Sequence, residues 1–171
     1  PAPNHRLLDP DAEDRFARVQ ALVTAVRSVR AEYGVPPSRT VRAYVQPATP
    51  TTLEAFTAAQ QTIERLAKIA PLMLDGAGAG GAGAGAHAVL PDGSSVFVPL
   101  GDTIDVAKEC ARLGKERERL DAQLQGAVAK LANQQFVARA PADVVERERA
   151  KERSWREQRD ALAAKLRALG C

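Results

Sequence analysis

Residues 130–149, KLANQQFVARAPADVVERER, decide how the second half of this chain folds. A charged, amphipathic stretch runs up to Leu131 and another departs from about Asp143, so the segment between them reads as the tip of a helical hairpin. Asn133 suits a helix stop, because it tolerates the left-handed conformation in which many helices end. Pro141 is excluded from a helix interior but fits a first turn. Asp143, with Glu146 three residues on, forms a capping-box-like start for the return helix. Phe136 and Val137 are apolar where exposure is expected, so they either plug the end of the hairpin or meet a partner.

Working outward, seam residues on both sides of the tip recur at alternating steps of three and four, the coiled-coil period. One seam is Val106, Cys110, Leu113, Arg117, Leu120, Leu124, Ala127 and Leu131; the other is Val145, Glu148, Glu152, Trp155, Arg159, Leu162, Leu166 and Leu169. Antiparallel pairing about the tip brings Arg117 toward Arg159, so looser packing is expected there. Trp155, the only Trp, reads more naturally as seam packing than as a surface for stacking bases. Fifteen Lys/Arg and twelve Asp/Glu lie from Asp102 onward, against nine of each before it. The cations Arg147, Arg149, Lys151, Arg153 and Arg156 alternate with Glu146, Glu148, Glu152 and Glu157, which fits a solvated face or a phosphate-contacting one. Arg139 stands at the tip among apolar neighbours, where partner contact is the better reading.

The first half has a different grammar. Phe16, Val19, Leu22, Val23, Val26 and Val29 recur at helical spacing over Asp11–Tyr33, with Gly34 and Pro36-Pro37 as the stop. Residues 39–46, RTVRAYVQ, alternate like a half-buried strand. Thr51–Lys68 reads as a second amphipathic helix, capped by Thr51 or Thr52 and burying Leu53, Phe56, Ile63, Leu66 and, just beyond, Ile69. Residues 75–86, DGAGAGGAGAGA, offer no side chains for a core and read as a flexible loop. A phosphate cradle would need Lys-Ser or Lys-Thr after the glycines, whereas His87-Ala88-Val89 follows. Residues 88–90 and 95–98 flank an Asp92-Gly93 turn as a hairpin. The expected fold is therefore α+β: an N-terminal helix (1–37), a small three-stranded sheet with one covering helix (38–101), and a long antiparallel coiled-coil hairpin (102–171) with its tip near 132–143.

Composition narrows the function. A chain 45% hydrophobic but 4% aromatic favours helices over a large globular core, and a net charge of +3 permits a nucleic-acid partner without demanding one. Cys110 and Cys171 form no disulfide framework by spacing, which fits a reducing compartment; Cys110 reads as a small buried apolar residue. His5 and His87 are isolated, so no metal site is expected. Ser94 and Ser95 lack a nucleophile elbow, and no catalytic constellation is found. No apolar run is long enough to span a membrane. The opening PAPNHRLLDP has neither an initiator Met nor a signal-peptide pattern, so a piece of a longer protein is expected.

The tip residues Lys130-Leu131, Asn133, Phe136-Val137, Ala140-Pro141, Val144-Val145 and Glu148-Arg149 resemble the carboxyl-terminal end of the valyl-tRNA synthetase family. Val98-Pro99-Leu100, Ile104-Asp105, Glu109, Arg112-Leu113 and Lys115-Glu116 match that family's entry into the same arm. Val26-Arg27, Val29-Arg30-Ala31-Glu32 and Val35-Pro36-Pro37 resemble the last helix of its anticodon-binding domain. Ser28 departs from the Asn expected there, and the Gly/Ala tract is unusually plain. The resemblance implies a coiled-coil arm gripping the outer corner of a valine-accepting tRNA, where its D and T loops meet. It implies a cytoplasmic, monomeric parent enzyme that joins valine to tRNA using ATP and magnesium. The catalytic signatures and the editing domain are absent from these residues, so this chain is expected to bind no cofactor and to act with the rest of the synthetase chain. The residues expected to touch RNA are Lys115, Lys130, Asn133, Phe136, Arg139 and Arg147. The competing class is a docking or dimerisation arm that binds no RNA. A nucleotide-binding module on the glycine tract is a third class, for which neither ATP nor GTP is expected to bind.

Overall fold

The computed structural model describes residues 9–78 and 83–171. Positions 1–8, with His5, lie outside the described residues, as do positions 79–82 of the Gly/Ala tract. The chain divides into two compact units, one running through Asp105 and the other Val106–Cys171.

In the first unit, helix α1 (Pro10–Glu32) begins where the Asp9 carboxylate accepts from the N–H groups of Asp11 and Ala12, each at 3.1 Å. Pro10 occupies the first turn, where its missing amide costs nothing. Leu22, Val23, Val26 and Val29 form the buried stripe. Phe16, expected in that stripe, is 68% exposed. It instead lines an open groove with Val19, Ala55 and Leu66, over which no described element of this unit closes.

Strand β1 (Val41–Gln46) buries Val41, Ala43 and Val45 in strict alternation. The single helix expected next is two, α2 (Pro50–Ala58) and α3 (Gln60–Ala67). Pro50 takes the first helical position, which moves the cap to Thr49, whose hydroxyl accepts from Thr52 N–H at 3.1 Å. Neither Thr51 nor Thr52 caps the helix. Ile69 then belongs to a fourth strand, β2 (Ile69–Met73), parallel to β1. A parallel pair needs a long crossover, and α2–α3 supplies it. Pro71 disguises IAPLM as non-strand, but β2 is an edge, where a missing ladder amide is tolerated. The edge is also covered: Glu64 accepts from Leu72 N–H at 3.1 Å, and the Gln60 amide donates to the Leu72 carbonyl at 3.2 Å.

Strands β3 (Gly85–Val89) and β4 (Ser95–Pro99) form the expected hairpin, and the mixed sheet has the order β2-β1-β4-β3. The three-stranded sheet of the sequence reading is thus four-stranded. Val45 opposes Val96, so one face carries Ala43, Val45, Val96 and Val98, buried with Leu22, Val26, Phe56 and Ile63. Each large aliphatic side chain so removed from water contributes roughly 1.5–3 kcal/mol. The opposite face carries Tyr44, Phe97 and His87, with Phe97 ring centroids 6.4 Å from Tyr44 and 4.5 Å from His87. β3 starts inside the tract read as loop, because Gly85 passes the Phe97 ring where a Cβ would come within 2.4 Å of Cε2. The tract's plainness at this point is a packing requirement.

A polar clasp joins α1, α2 and the β3–β4 turn. Arg18 donates to Thr52 Oγ1 at 2.8 Å, Thr52 donates to Asp92 Oδ2 at 2.9 Å, and Ser94 Oγ donates to the same oxygen at 3.0 Å. Burial pushes the Asp92 carboxyl up, but bonds from Ser94 N–H and from the Thr52 and Ser94 hydroxyls, with Arg18 nearby, outweigh it and set the net direction downward.

The second unit is an antiparallel pair of long helices, α4 (Val106–Ala132) and α6 (Ala142–Leu169), joined by a short helix α5 (Gln134–Arg139). Leu113, Leu120, Leu124 and Ala127 are buried on α4; Val145, Glu148, Leu162, Leu166 and Leu169 are buried on α6. Between Glu148 and Leu162 no α6 residue is buried, and Trp155 and Arg159 are half-exposed, which is the looser stretch expected from the facing arginines. The tip differs from the sequence reading. Asn133 does not stop α4 in a left-handed conformation; it caps α5, its side chain accepting from Gln135 N–H at 3.0 Å and Phe136 N–H at 3.3 Å. Asp143 forms no capping box, since Pro141 holds the cap position of α6 and no side chain bonds there. At the other end Cys110 and Cys171 are disulfide-bonded, with Cα atoms 6.2 Å apart. This overturns the reading of Cys110 as a small buried apolar residue outside any disulfide: spacing across 61 positions gives no hint of the bond, because the hairpin itself brings the two cysteines together.

Candidate nucleic-acid interface

The six residues expected to touch RNA fall into two places. Lys130, Asn133, Phe136, Arg139 and Arg147 surround the tip, while Lys115 lies on α4 some 15 residues before Lys130, about 22 Å along the helix. Arg139 is exposed on the last turn of α5 and makes no ion pair among the described residues. Phe136 is half-buried and Val137 exposed, so the ring is part plug and part surface. Asn133 spends its carbonyl oxygen on the α5 cap and keeps its NH₂ group for another acceptor.

Two of the six are already engaged. Arg147 donates to Asp143 at 2.5 Å, one helical turn back. Lys130 lies 3.7 Å from Glu148, which also takes a 2.7 Å bond from Lys151. The Lys151 hydrogen bond and the charge of Lys130 hold the Glu148 carboxyl below the usual carboxylate range, outweighing the effect of burial. The Arg147–Asp143 pair is exposed on both sides, and such pairs are worth about 0–1 kcal/mol, so a phosphate could take Arg147 at small cost. Lys130 is itself exposed and would leave the buried Glu148 to Lys151.

Sequence reasoning missed how unevenly the pairing is distributed. On α6, Arg149 and Arg153 share Glu146, Arg156 pairs with Glu152 and Arg159 with Asp160. On α4, Arg112 is forked by Glu109 and Glu116, but Lys115, Arg117 and Arg119 are exposed and make no ion pair among the described residues. The spacing rule for i,i+4 pairs reveals the α6 ladder, yet it does not say which of several possible partners wins. Among the described residues no cluster of His, Cys, Asp or Glu is placed to hold a metal ion, and no helix is long and apolar enough to cross a membrane.

The arrangement offers a stiff helical pair whose tip, from Lys130 to Pro141, carries Lys130 and Arg139 and no acid. Comparison with known proteins points the same way. Residues 105–170 match the family model described as the valyl tRNA synthetase tRNA binding arm. Over 92% of its length the chain is 36% identical to the valine–tRNA ligase of Mesorhizobium japonicum, covering 17% of that protein. It is 38% identical to the enzyme of Bradyrhizobium diazoefficiens over 94% of the chain and 16% of the relative. It is 31% identical to that of Clostridium acetobutylicum over 99% of the chain and 19% of the relative. The chain thus spans 16–19% of the length of these relatives, and along nearly all of its own length it belongs to the valyl-tRNA synthetase family.

Proposed function

We propose that this chain is the tRNA-gripping part of a valine–tRNA ligase, in which the pair α4–α6 holds the outer corner of the tRNA where its D and T loops meet. The observation that carries this reading is the acid-free, cationic tip on a segment matching the tRNA-binding-arm family. Double-helical RNA is recognised largely by shape and through its phosphates, which a rigid arm with exposed cations supplies without reading sequence. Lys115 and Arg139 contact phosphate directly. Lys130 and Arg147 exchange a carboxylate for a phosphate, and Asn133 and Phe136 meet the unpaired bases of the corner. The joining of valine to tRNA with ATP and magnesium is the work of the rest of a cytoplasmic, monomeric enzyme. A docking arm without RNA is less well supported, since Val128 and Val137 are the large apolar side chains the described arm exposes, too little for a stable protein interface.

The test is a pair of variants. Lys130→Ala and Arg139→Ala should each weaken tRNA binding and flatten its dependence on log salt by about 0.7–0.9. Unchanged affinity and slope in both would remove the tip from the interface.

A further inference from the structure

We infer that the arm presents RNA with the outer face of α4, centred on Lys115 and Arg119, and that α6 beyond Arg147 faces away. This rests on the tRNA-binding reading and adds a side to it. From Lys108 to Arg119 α4 carries five cations and three acids, whereas from Ala142 to Asp160 α6 carries six of each. Beyond Arg147, the α6 cations Arg149, Lys151, Arg153, Arg156 and Arg159 all pair with acids of their own helix. The field they offer a polyanion is close to neutral, because an acid of the same helix lies beside each cation. Among the described residues Lys115 and Arg119 take part in no such pair.

The spacing puts them on one line. Lys115 and Arg119 are followed at steps of three and four by Ala122, Gly126 and Ala129, a row on the opposite side of α4 from buried Leu113, Leu120 and Leu124. Glu116, held by Arg112, and Glu118 flank the row on either side. Beyond the two cations the face is low, so a sugar–phosphate backbone can lie along it toward Lys130 and the tip. Gly126 is informative here. It sits inside a helix, where glycine is destabilising by roughly 0.5–1 kcal/mol relative to Ala, and a Cβ there would meet nothing within 4 Å. No packing contact in the arm explains the missing side chain.

The test uses the full 171-residue chain and a labelled transcript of a valine-accepting tRNA, with anisotropy titrations across a salt series. Lys115→Gln with Arg119→Gln should reduce the salt slope by about 1.4–1.8, two contacts' worth. Arg149→Gln with Arg153→Gln should change affinity less than about twofold, because the two lie on the α6 face turned from the RNA. Gly126→Gln should raise the melting temperature while weakening binding about tenfold, a combination that a folding defect cannot produce. Loss of binding in the α6 pair with none in the α4 pair would overturn the face assignment and leave the RNA reading intact. Unaltered binding by a stable Gly126→Gln chain would overturn it equally. Failure of the unmodified chain to bind would end both.

Discussion

Glu148, buried in the seam of α6, is reached across the helix pair by Lys130, whose ammonium lies 3.7 Å from its carboxylate. A seam position that should be apolar is thus an ionic tie next to the tip, shared with Lys151. Replacing Glu148 leaves only the two exposed, solvated ammonium groups of Lys130 and Lys151, so the seam loses packing with a small side chain, while an apolar replacement of similar volume is often neutral or better. Glu148→Ala should therefore lower the melting temperature by a few degrees and Glu148→Leu should not. Thermal unfolding followed by circular dichroism distinguishes them.

The same carboxylates set an acid limit. Hydrogen bonds from Lys151 to Glu148, Arg153 to Glu146 and Arg112 to Glu109 hold all three carboxyls below their ordinary values. Near and below the usual carboxylate pKa of about 4, the unfolded chain binds more protons than the folded one, so stability rises with pH there. The contribution is complete above about pH 5 and is lost as pH falls through the lowered folded values. Urea midpoints between pH 3 and pH 6 should climb and then level off; a midpoint rising toward low pH would contradict these assignments.

The Cys110–Cys171 bond ties the open end of the helix pair. Closing a loop of 61 positions restricts the unfolded chain, worth up to about 4 kcal/mol on the chain-entropy account. Cys110→Ser, or a thiol reductant, should lower the arm's melting temperature and leave the sheet unit's unchanged. Equal melting with and without reductant would mean the bond contributes nothing.

In the first unit, Thr52 is fully buried between Arg18 and Asp92. Thr52→Val keeps the shape and removes the hydroxyl both depend on, which should cost about 1–3 kcal/mol. Gly85→Ala should cost a similar amount by driving a methyl into the Phe97 ring. Denaturant midpoints of the chain measure both.

The helix pair was legible because its period survives polar interruptions: Leu113, Leu120, Leu124, Leu162 and Leu166 are buried where the steps of three and four place them. β2 was not, since Pro71 and a following Leu-Met look helical or irregular until β1 lies alongside. Asn133 was legible as a cap residue but not as to which helix it caps, because one side chain type serves both ends. The basic character of the arm could be counted in advance. Which cations remain unpaired could not, because that depends on which of several acids each side chain reaches.

The most direct measurement is a titration of this chain with two tRNAs at two salt concentrations, one tRNA intact and one with its D-loop to T-loop corner disrupted. Salt-sensitive binding to the intact form, lost or strongly weakened with the disrupted corner, is the predicted result. Equal binding to both would reduce the arm to a generic basic helix pair and contradict the assignment of its partner surface.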